Sequence, residues 1–551
     1  MRHISRPVWL FIATFIALLL PNVWLSIVEP MTVGARITNI VLPGAAYLLL
    51  LTLSRNPARM VWATFPLLFL SAFQLVLLYL YGHSIIAVDM FLNLVTTNTA
   101  EVSELLGSLL PAVGGVAVIF LPILYFGAVR FRRKDYALDP GTVHRVHVAG
   151  TGWLLAGVIS MCLSYLAGGY RAKDDLYPVN VCYNIWLAVD RTGRTARYAE
   201  TSRDFTFEAV ATHPADRREV YVMVIGETAR AENFGLYGYT RDTTPRLAAV
   251  DGLVAYPQAY TQSNTTHKSV PMLMSAATAE DYDRIYREKG IISAFREAGF
   301  HTVFISNQRP NHSFIDIFGE EADKWRFLKE ELPAGANIHD GEMLAEVDRV
   351  LAEGRGKVLI VLHTYGSHFE YRERYPREMA RFLPDDAVEA SAANRECLLN
   401  AYDNTILYTD SVLDALIGRL HASGADAGML YTSDHGENIY DDGSGLFLHA
   451  SPRPSIHELH VPLLVWLSDS YRAGHPEVAE ALQGHRGERV ITSASVFHTM
   501  LGMAGIATPV RCDSLSLASP AYRPGPYNYL TDRNIPMPVY SLKSLQFKEL
   551  K

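Results

Sequence analysis

Hydrophobic positions along this chain follow two regimes. Up to about residue 170 they gather into uncharged apolar runs at 7–28, 37–54, 60–82, 107–129 and 148–169. Each is long enough to cross a hydrocarbon core, which needs about 20 helical residues. From about residue 200 the pattern changes. Short β-branched runs bounded by polar residues or glycine predict strands at 220–225, 302–305, 358–362, 428–432 and 463–466, and helix-period stretches predict helices at 269–279, 342–352, 395–421 and 494–502. Alternation of this kind predicts an α/β domain with a mostly parallel sheet. The expected organisation is an N-terminal α-helical membrane domain of five spans over 1–170, an amphipathic bridging segment over 171–205, and an α/β domain over 206–551.

The first run is longer than a signal-peptide core and lacks a small-residue cleavage site, so it is expected to be a span. Basic residues orient the spans. Arg2, Arg6, Arg55, Arg59, Arg130, Arg132, Arg133, Lys134 and Arg145 share one side, whereas the loops of the other side offer only Arg36 and carry Asp89, Glu101 and Glu104. By the positive-inside rule the N-terminus is cytoplasmic and everything after residue 170 lies outside. Two stretches mix apolar and polar residues as interfacial elements do, 84–106 and the YPVNVCYNIWL segment within 176–189.

Composition narrows the function. Acidic residues exceed basic ones, giving a formal charge of −8, and no basic stripe marks a nucleic-acid binder. Four cysteines exclude a disulfide-built scaffold and supply no CxxC motif. The rival of another class is a membrane metal-binding receptor or transporter; the five apolar runs contain no Asp, Glu, Lys or Arg, which argues against transport, since transporters place ionisable groups within their spans.

Ligands of parallel α/β sheets bind beyond the carboxyl ends of the strands. There the sequence places Glu227 (YVMVIGETAR), His363 and His368 (VLIVLHTYGSH), and Asp434 and His435 (GMLYTSDHGEN), with His449 following in FLHASP. Carboxylates and imidazoles converging on one edge are zinc ligands by type, and two metals about 4 Å apart serve phosphoryl transfer. A nucleophile would complete the set. In TQSNTTHKSVPMLMSA, Thr265 and Thr266 precede an expected helix whose first NH groups face an incoming anion, and spacing does not separate the two.

VIGETARAENFGLYGYTRDTTP, SNTTHKSVPML, LHTYGSH, AYDNTILYTDSVLD and YTSDHGEN resemble, in order and spacing, the membrane-anchored phosphoethanolamine transferases, which include lipid A modifying enzymes and the mobile colistin-resistance proteins. The resemblance implies a periplasmic sulfatase-like domain of the alkaline phosphatase superfamily behind five inner-membrane spans. It implies Thr266 as the nucleophile, with Glu227, Thr266, Asp434 and His435 on a tightly held Zn2+ and His368 and His449 on a second zinc or the substrate phosphate. His363, Lys268 and Asn264 would support the site or meet substrate. The implied reaction moves phosphoethanolamine from phosphatidylethanolamine through a covalent threonine intermediate, releasing diacylglycerol.

The chain also departs from that family. Lipid A enzymes often have cysteines where Gln262 and Met272 stand here, and an Asn-and-Lys segment where this chain has SNQRPN at 306–311. With Cys162 in the fifth run, only Cys182, Cys397 and Cys512 remain outside, so at most one intradomain disulfide fits. The acceptor is therefore left as lipid A, a core sugar or another envelope glycan. Phosphoglycerol transfer and phosphodiester hydrolysis are the rival activities of the superfamily. A sulfatase activity is disfavoured, because its formylglycine precursor is Cys or Ser and the nucleophile position here is Thr.

Overall fold

In a computed structural model, the apolar first third of the chain forms helices α1 (Arg6–Val28), α2 (Val33–Leu51), α3 (Pro57–Ala63), α4 (Phe65–Tyr81), α5 (Val88–Thr96), α6 (Thr99–Arg130), α7 (Pro140–Leu166) and α8 (Val179–Ala196). The structure describes residues 5–542 except 82–83, 97–98, 334–335, 387–389, 442, 444 and 452, and only the backbone of 80–81, 93–96 and 99–109. Arg2 and part of the 84–106 stretch thus lie outside the described residues. Two compact units form, one of 1–95 with 105–191 and one of 96–104 with 192–551.

Four helices of the first unit are long and apolar enough to span a membrane, and a fifth arises if α3 and α4, bent by 67°, are one broken span. The break has a local cause. Pro66 has no NH to give to Trp62, so the helical ladder is interrupted where the third expected run should be continuous. α2 and α7 approach closely, since a Cβ at Gly157 would lie 2.8 Å from Leu42 Cα. Buried Asn22 and Asn39 are tied together, with Asn22 Nδ2 donating to Asn39 O at 2.9 Å. The 176–189 stretch falls largely in α8, where Val181 and Asn184 are buried while Trp186 and Val189 are exposed.

The second unit is built on a seven-stranded sheet: β1 (Glu219–Gly226), β2 (Leu253–Ala255), β3 (His301–Ser306), β4 (Lys324–Phe327), β5 (Lys357–His363), β6 (Asp426–Ser433) and β7 (Leu463–Leu467), in the order β2-β7-β6-β1-β5-β3-β4. The five strands from β6 to β4 are parallel, while β7 and β2 run antiparallel at one edge. The expected mostly parallel sheet is therefore present, with β7 reversed, so that its end does not join the others. Both faces are covered. Val220, Val222 and Val224 of β1 pack on one layer with α10 (Met343–Ala352) and α11 (Arg395–Ala422). The alternating Tyr221, Met223 and Ile225 pack on the other with α9 (Thr266–Leu273) and α12 (Thr492–Met503).

Helix α9 starts three residues before its expected beginning and stops six before its expected end. Beyond it Ser275 Oγ donates to Pro271 O at 2.7 Å, a side-chain bond that competes with helix continuation. No disulfide forms among the four cysteines.

Candidate active site

β1 and β6 are neighbours in register, Gly226 opposite Ser433, so the residues that follow them, Glu227 and Asp434, emerge side by side. Ligand atoms of Glu227, Asp434 and His435 all lie within 4.8 Å of one another, and all three residues are buried. Thr266, the first residue of α9, completes the group. Its Oγ1 is 3.1 Å from His435 Nε2 and 3.3 and 3.4 Å from the two Glu227 oxygens. Thr265 is instead the residue before the helix, its hydroxyl 3.2 Å from Ser263 Oγ. The two threonines that spacing leaves equivalent are thus set apart in space.

The donor set fits a cation. His435 Nδ1 lies 2.9 Å from Gly436 O, which can only accept, so Nδ1 carries the proton and Nε2 presents a lone pair. That lone pair is 3.2 Å from Asp434 Oδ2, a buried oxygen that accepts no hydrogen bond. Burial and the nearby Asp434 push the Glu227 carboxyl up to about 7, and burial pushes Asp434 up to about 6. Burial holds His435 down at about 3, in its neutral form. Lone pairs outnumber protons at the centre of the group, and a divalent cation is what such a set binds.

Several backbone features place these groups. Gly366 of the TYGSH turn, at φ +48°, crosses Glu227 so closely that a Cβ would stand 2.6 Å from Glu227 O, and Ser367 N donates to that oxygen at 2.9 Å. Thr228 takes a left-handed φ of +61° while its NH donates to Asp434 Oδ1 at 3.1 Å and its hydroxyl to Glu227 Oε1 at 2.6 Å. Tyr402 of α11 donates to Thr228 O at 2.7 Å, so the AYDNT segment acts as a brace.

His449 lies near this group, its ring centroid 4.2 Å from that of His435 and 6.0 Å from that of His368. Burial opposes charge on His449, but the Glu437 carboxylate, which accepts from Nδ1 at 3.1 Å, outweighs it and lifts the imidazole to about 9. His368 donates Nδ1–H to Phe369 O at 2.6 Å, and burial holds it well below the usual imidazole range.

The other three candidates are turned elsewhere. His363 contacts Ser306 Oγ at 3.1 Å and stacks on Phe304, and burial pushes it down to about 4. Asn264 gives its amide hydrogens to Ser451 O and Glu458 Oε1 at 2.8 and 2.9 Å and accepts from Tyr529 at 2.7 Å. Lys268 is buried and donates to Thr531 O and Asp532 O at 3.0 and 3.3 Å. Two neighbours of the group are absent from the sequence reading. Gln308 donates to Glu227 Oε2 at 3.2 Å and stands just past the end of β3, where the strand-end rule could have found it. Glu437, in the YTSDHGEN motif, accepts from His449 and from Tyr371 OH at 2.6 Å.

A family model described as sulfatase matches residues 219–506. The phosphoethanolamine transferase EptA of Salmonella typhimurium is 32% identical over 307 residues, covering 53% of this chain and 54% of that protein, so the match spans about half of the curated relative. The integral membrane protein lipooligosaccharide phosphoethanolamine transferase A from Neisseria meningitidis is 23% identical, with a TM-score of 0.72 over 94% of this chain and 99% of that one. The likeness in fold therefore extends to the apolar helices. The C-terminal periplasmic domain of EcEptC from Escherichia coli, in a complex with Zn, is 24% identical with a TM-score of 0.55, covering 61% of this chain and 97% of that one.

Proposed function

The chain belongs to the sulfatase family, which matches it over residues 219–506, and from that premise we propose that it transfers phosphoethanolamine from phosphatidylethanolamine to an envelope glycan, with Thr266 as nucleophile. The observation that carries this reading is the Thr266 hydroxyl at the start of α9, 3.1 Å from His435 Nε2 and beside Glu227 and Asp434. The names of the relatives point to the same group transfer.

Glu227, Asp434, His435 and Thr266 are the residues that would hold a zinc ion, and His368 and His449 a second zinc or the substrate phosphate. A bound zinc supplies a Lewis acid that lowers the pKa of the hydroxyl and offsets charge on the non-bridging phosphate oxygens. In the first step Thr266 Oγ attacks phosphorus, a threonine O–P bond forms, and the P–O bond to diacylglycerol breaks, the alcohol leaving with a proton. In the second an acceptor oxygen attacks the same phosphorus and the threonine oxygen leaves. Where His449 meets the substrate phosphate and not a second zinc, its protonated form, paired with Glu437, would supply a proton to a leaving oxygen. Membership of the sulfatase family does not imply sulfate-ester hydrolysis here, since the proposed nucleophile is a threonine.

The membrane reading follows the charge asymmetry: a multi-pass protein of the bacterial inner membrane with a cytoplasmic N-terminus and a periplasmic second unit. The acceptor class is lipid A, a core sugar or another envelope glycan. To test the reading, the zinc-loaded protein is mixed with phosphatidylethanolamine. Thr266 should become about 123 Da heavier as diacylglycerol appears. Preferential turnover of phosphatidylglycerol would instead favour phosphoglycerol transfer, and undiminished turnover by Thr266→Ala would overturn the nucleophile.

A further inference from the structure

The last described segment folds back on the nucleophile turn. Residues Asn528–Leu530 and Pro536–Pro538 pair as an antiparallel hairpin. Its first strand and turn are tied to residues 261–268 by Tyr527 OH to Thr261 O at 3.0 Å, Leu530 N to Gln262 O at 2.7 Å, Tyr529 OH to Asn264 Oδ1 at 2.7 Å and Lys268 Nζ to Thr531 O at 3.0 Å. Tyr527, Tyr529 and Val539 are buried under it with Tyr260. This gives Asn264 and Lys268 a part in holding the nucleophile turn.

The second strand and its flanks are different. Ile535 is 56% exposed, Met537 37% and Tyr540 84%. Among the described residues of the second unit the other exposed large apolar side chains are Val210, Trp325 and Leu383, far apart in sequence. Among the described residues of 192–551, three of the six exposed large apolar side chains therefore sit within six positions, in and beside the hairpin tied to the Thr266 turn. Single exposed apolar residues are ordinary, whereas three within six positions of one short strand and its flanks are what a binding segment would offer.

We propose that this hairpin rests on a phospholipid surface and seats Thr266 at the level of the lipid headgroups. The inference builds on the reading above, in which the donor is a phospholipid whose phosphorus lies in that layer. Three observations favour a bilayer as occupant. The same chain carries helices of membrane-spanning length. The exposed set joins aliphatic side chains to a tyrosine, the residue type enriched at membrane–water interfaces. Four hydrogen bonds connect the contact to the nucleophile turn, so that lipid contact and catalysis share one rigid element.

The test uses the full chain in proteoliposomes. With its four cysteines changed to serine, Ile535→Cys carries an environment-sensitive dye, and nitroxide lipids serve as quenchers; Leu383→Cys is the control. Quenching at 535 well above that at 383 is expected, and equal quenching overturns the proposal. In a kinetic arm the Ile535→Ser/Met537→Ser/Tyr540→Ser variant is compared on bilayer phosphatidylethanolamine and on a short-chain soluble analogue. KM for the bilayer substrate should rise roughly tenfold while turnover of the soluble analogue is unchanged. An equal loss on both substrates, or no loss on either, overturns the proposal. Tyr540→Ser alone, at a side chain with little to pack against, keeps this arm open if the triple variant misfolds. Quenching at 535 without any adduct on Thr266 would uphold the lipid contact while refuting the transferase reading.

Discussion

The same two strands carry a glutamate and an aspartate at each end, and the two couples have opposite surroundings. At the amino ends of β1 and β6, Glu219 and Asp426 are register partners. Lys357 Nζ reaches Glu219 at 3.0 Å, with His213 3.3 Å away, and Arg217 Nη1 reaches Asp426 at 2.8 Å. Burial opposes charge on Glu219, yet His213 and Lys357 prevail and hold its carboxyl below the usual range. At the carboxyl ends, eight residues along each strand, Glu227 and Asp434 are buried side by side and pushed up to about 7 and 6. Their hydrogen-bonding neighbours are hydroxyls, amides and a neutral imidazole, and the nearby charged imidazole, His449, is paired with Glu437. One couple is neutralised by the protein itself, and the other, in the proposed reading, by a bound cation. Counter-charge, more than residue type, separates a structural cluster from a chemical one.

The comparison can be broken most sharply at the carboxyl edge. Asp434→Asn or Glu227→Gln should abolish tight zinc binding and lower transfer by a factor on the order of 10³ or more. The chelator-treated Asp434→Asn protein should melt no lower than wild type at pH 8, because one of two like charges has gone. A clear loss of metal-free stability would mean that the couple is structural after all.

Protons offer the next test. Glu227 and Asp434 must be deprotonated to hold a metal, so zinc affinity should climb with pH by roughly tenfold per unit for each proton displaced until pH passes about 7. Calorimetry in buffers of different ionisation enthalpy would count those protons. Both carboxyls are raised above their unfolded values, so the metal-free protein should lose stability as pH rises through 6 and 7. A metal-free protein that gains stability across this window would contradict the assignment.

At the amino edge the expected change is in stability alone. Glu219→Gln leaves Lys357 and His213 without their carboxylate and should cost about 3 kcal/mol in denaturant unfolding, with zinc stoichiometry unaltered. The smallest effect is expected one step back from the metal group. Glu437→Gln removes the acceptor that orients His449 and should slow transfer by roughly 10- to 100-fold with the first zinc retained.

Much of this was readable from the sequence because strand periodicity is strong and the strand-end rule is geometric. Runs at 220–225, 358–362 and 428–432 became β1, β5 and β6, extended at their ends. Glu227, Asp434 and His435 follow directly from where β1 and β6 stop. Residues whose direction depends on a turn were not readable. Thr265 and Thr266 are adjacent, and only the path into α9 aims one hydroxyl at His435 and the other at Ser263. Lys268 and Asn264 look like substrate or support residues in isolation, but the hairpin that binds them lies more than 260 residues away in sequence. His363 ends β5 with its ring against Phe304, a facing fixed by strand alternation that the motif alone does not reveal.

His435 and His368 each give their Nδ1 proton to the carbonyl of the very next residue, Gly436 O and Phe369 O. Each imidazole is thus set by its own main chain, whereas histidine ligands commonly depend on a second side chain elsewhere in the fold. Peptide carbonyls do not mutate. The loops around the site are consequently free to drift, lengthen or exchange side chains without disturbing which nitrogen offers its lone pair. For the proposed reaction this means that a new acceptor can be acquired by loop substitution while the phosphoryl chemistry stays intact.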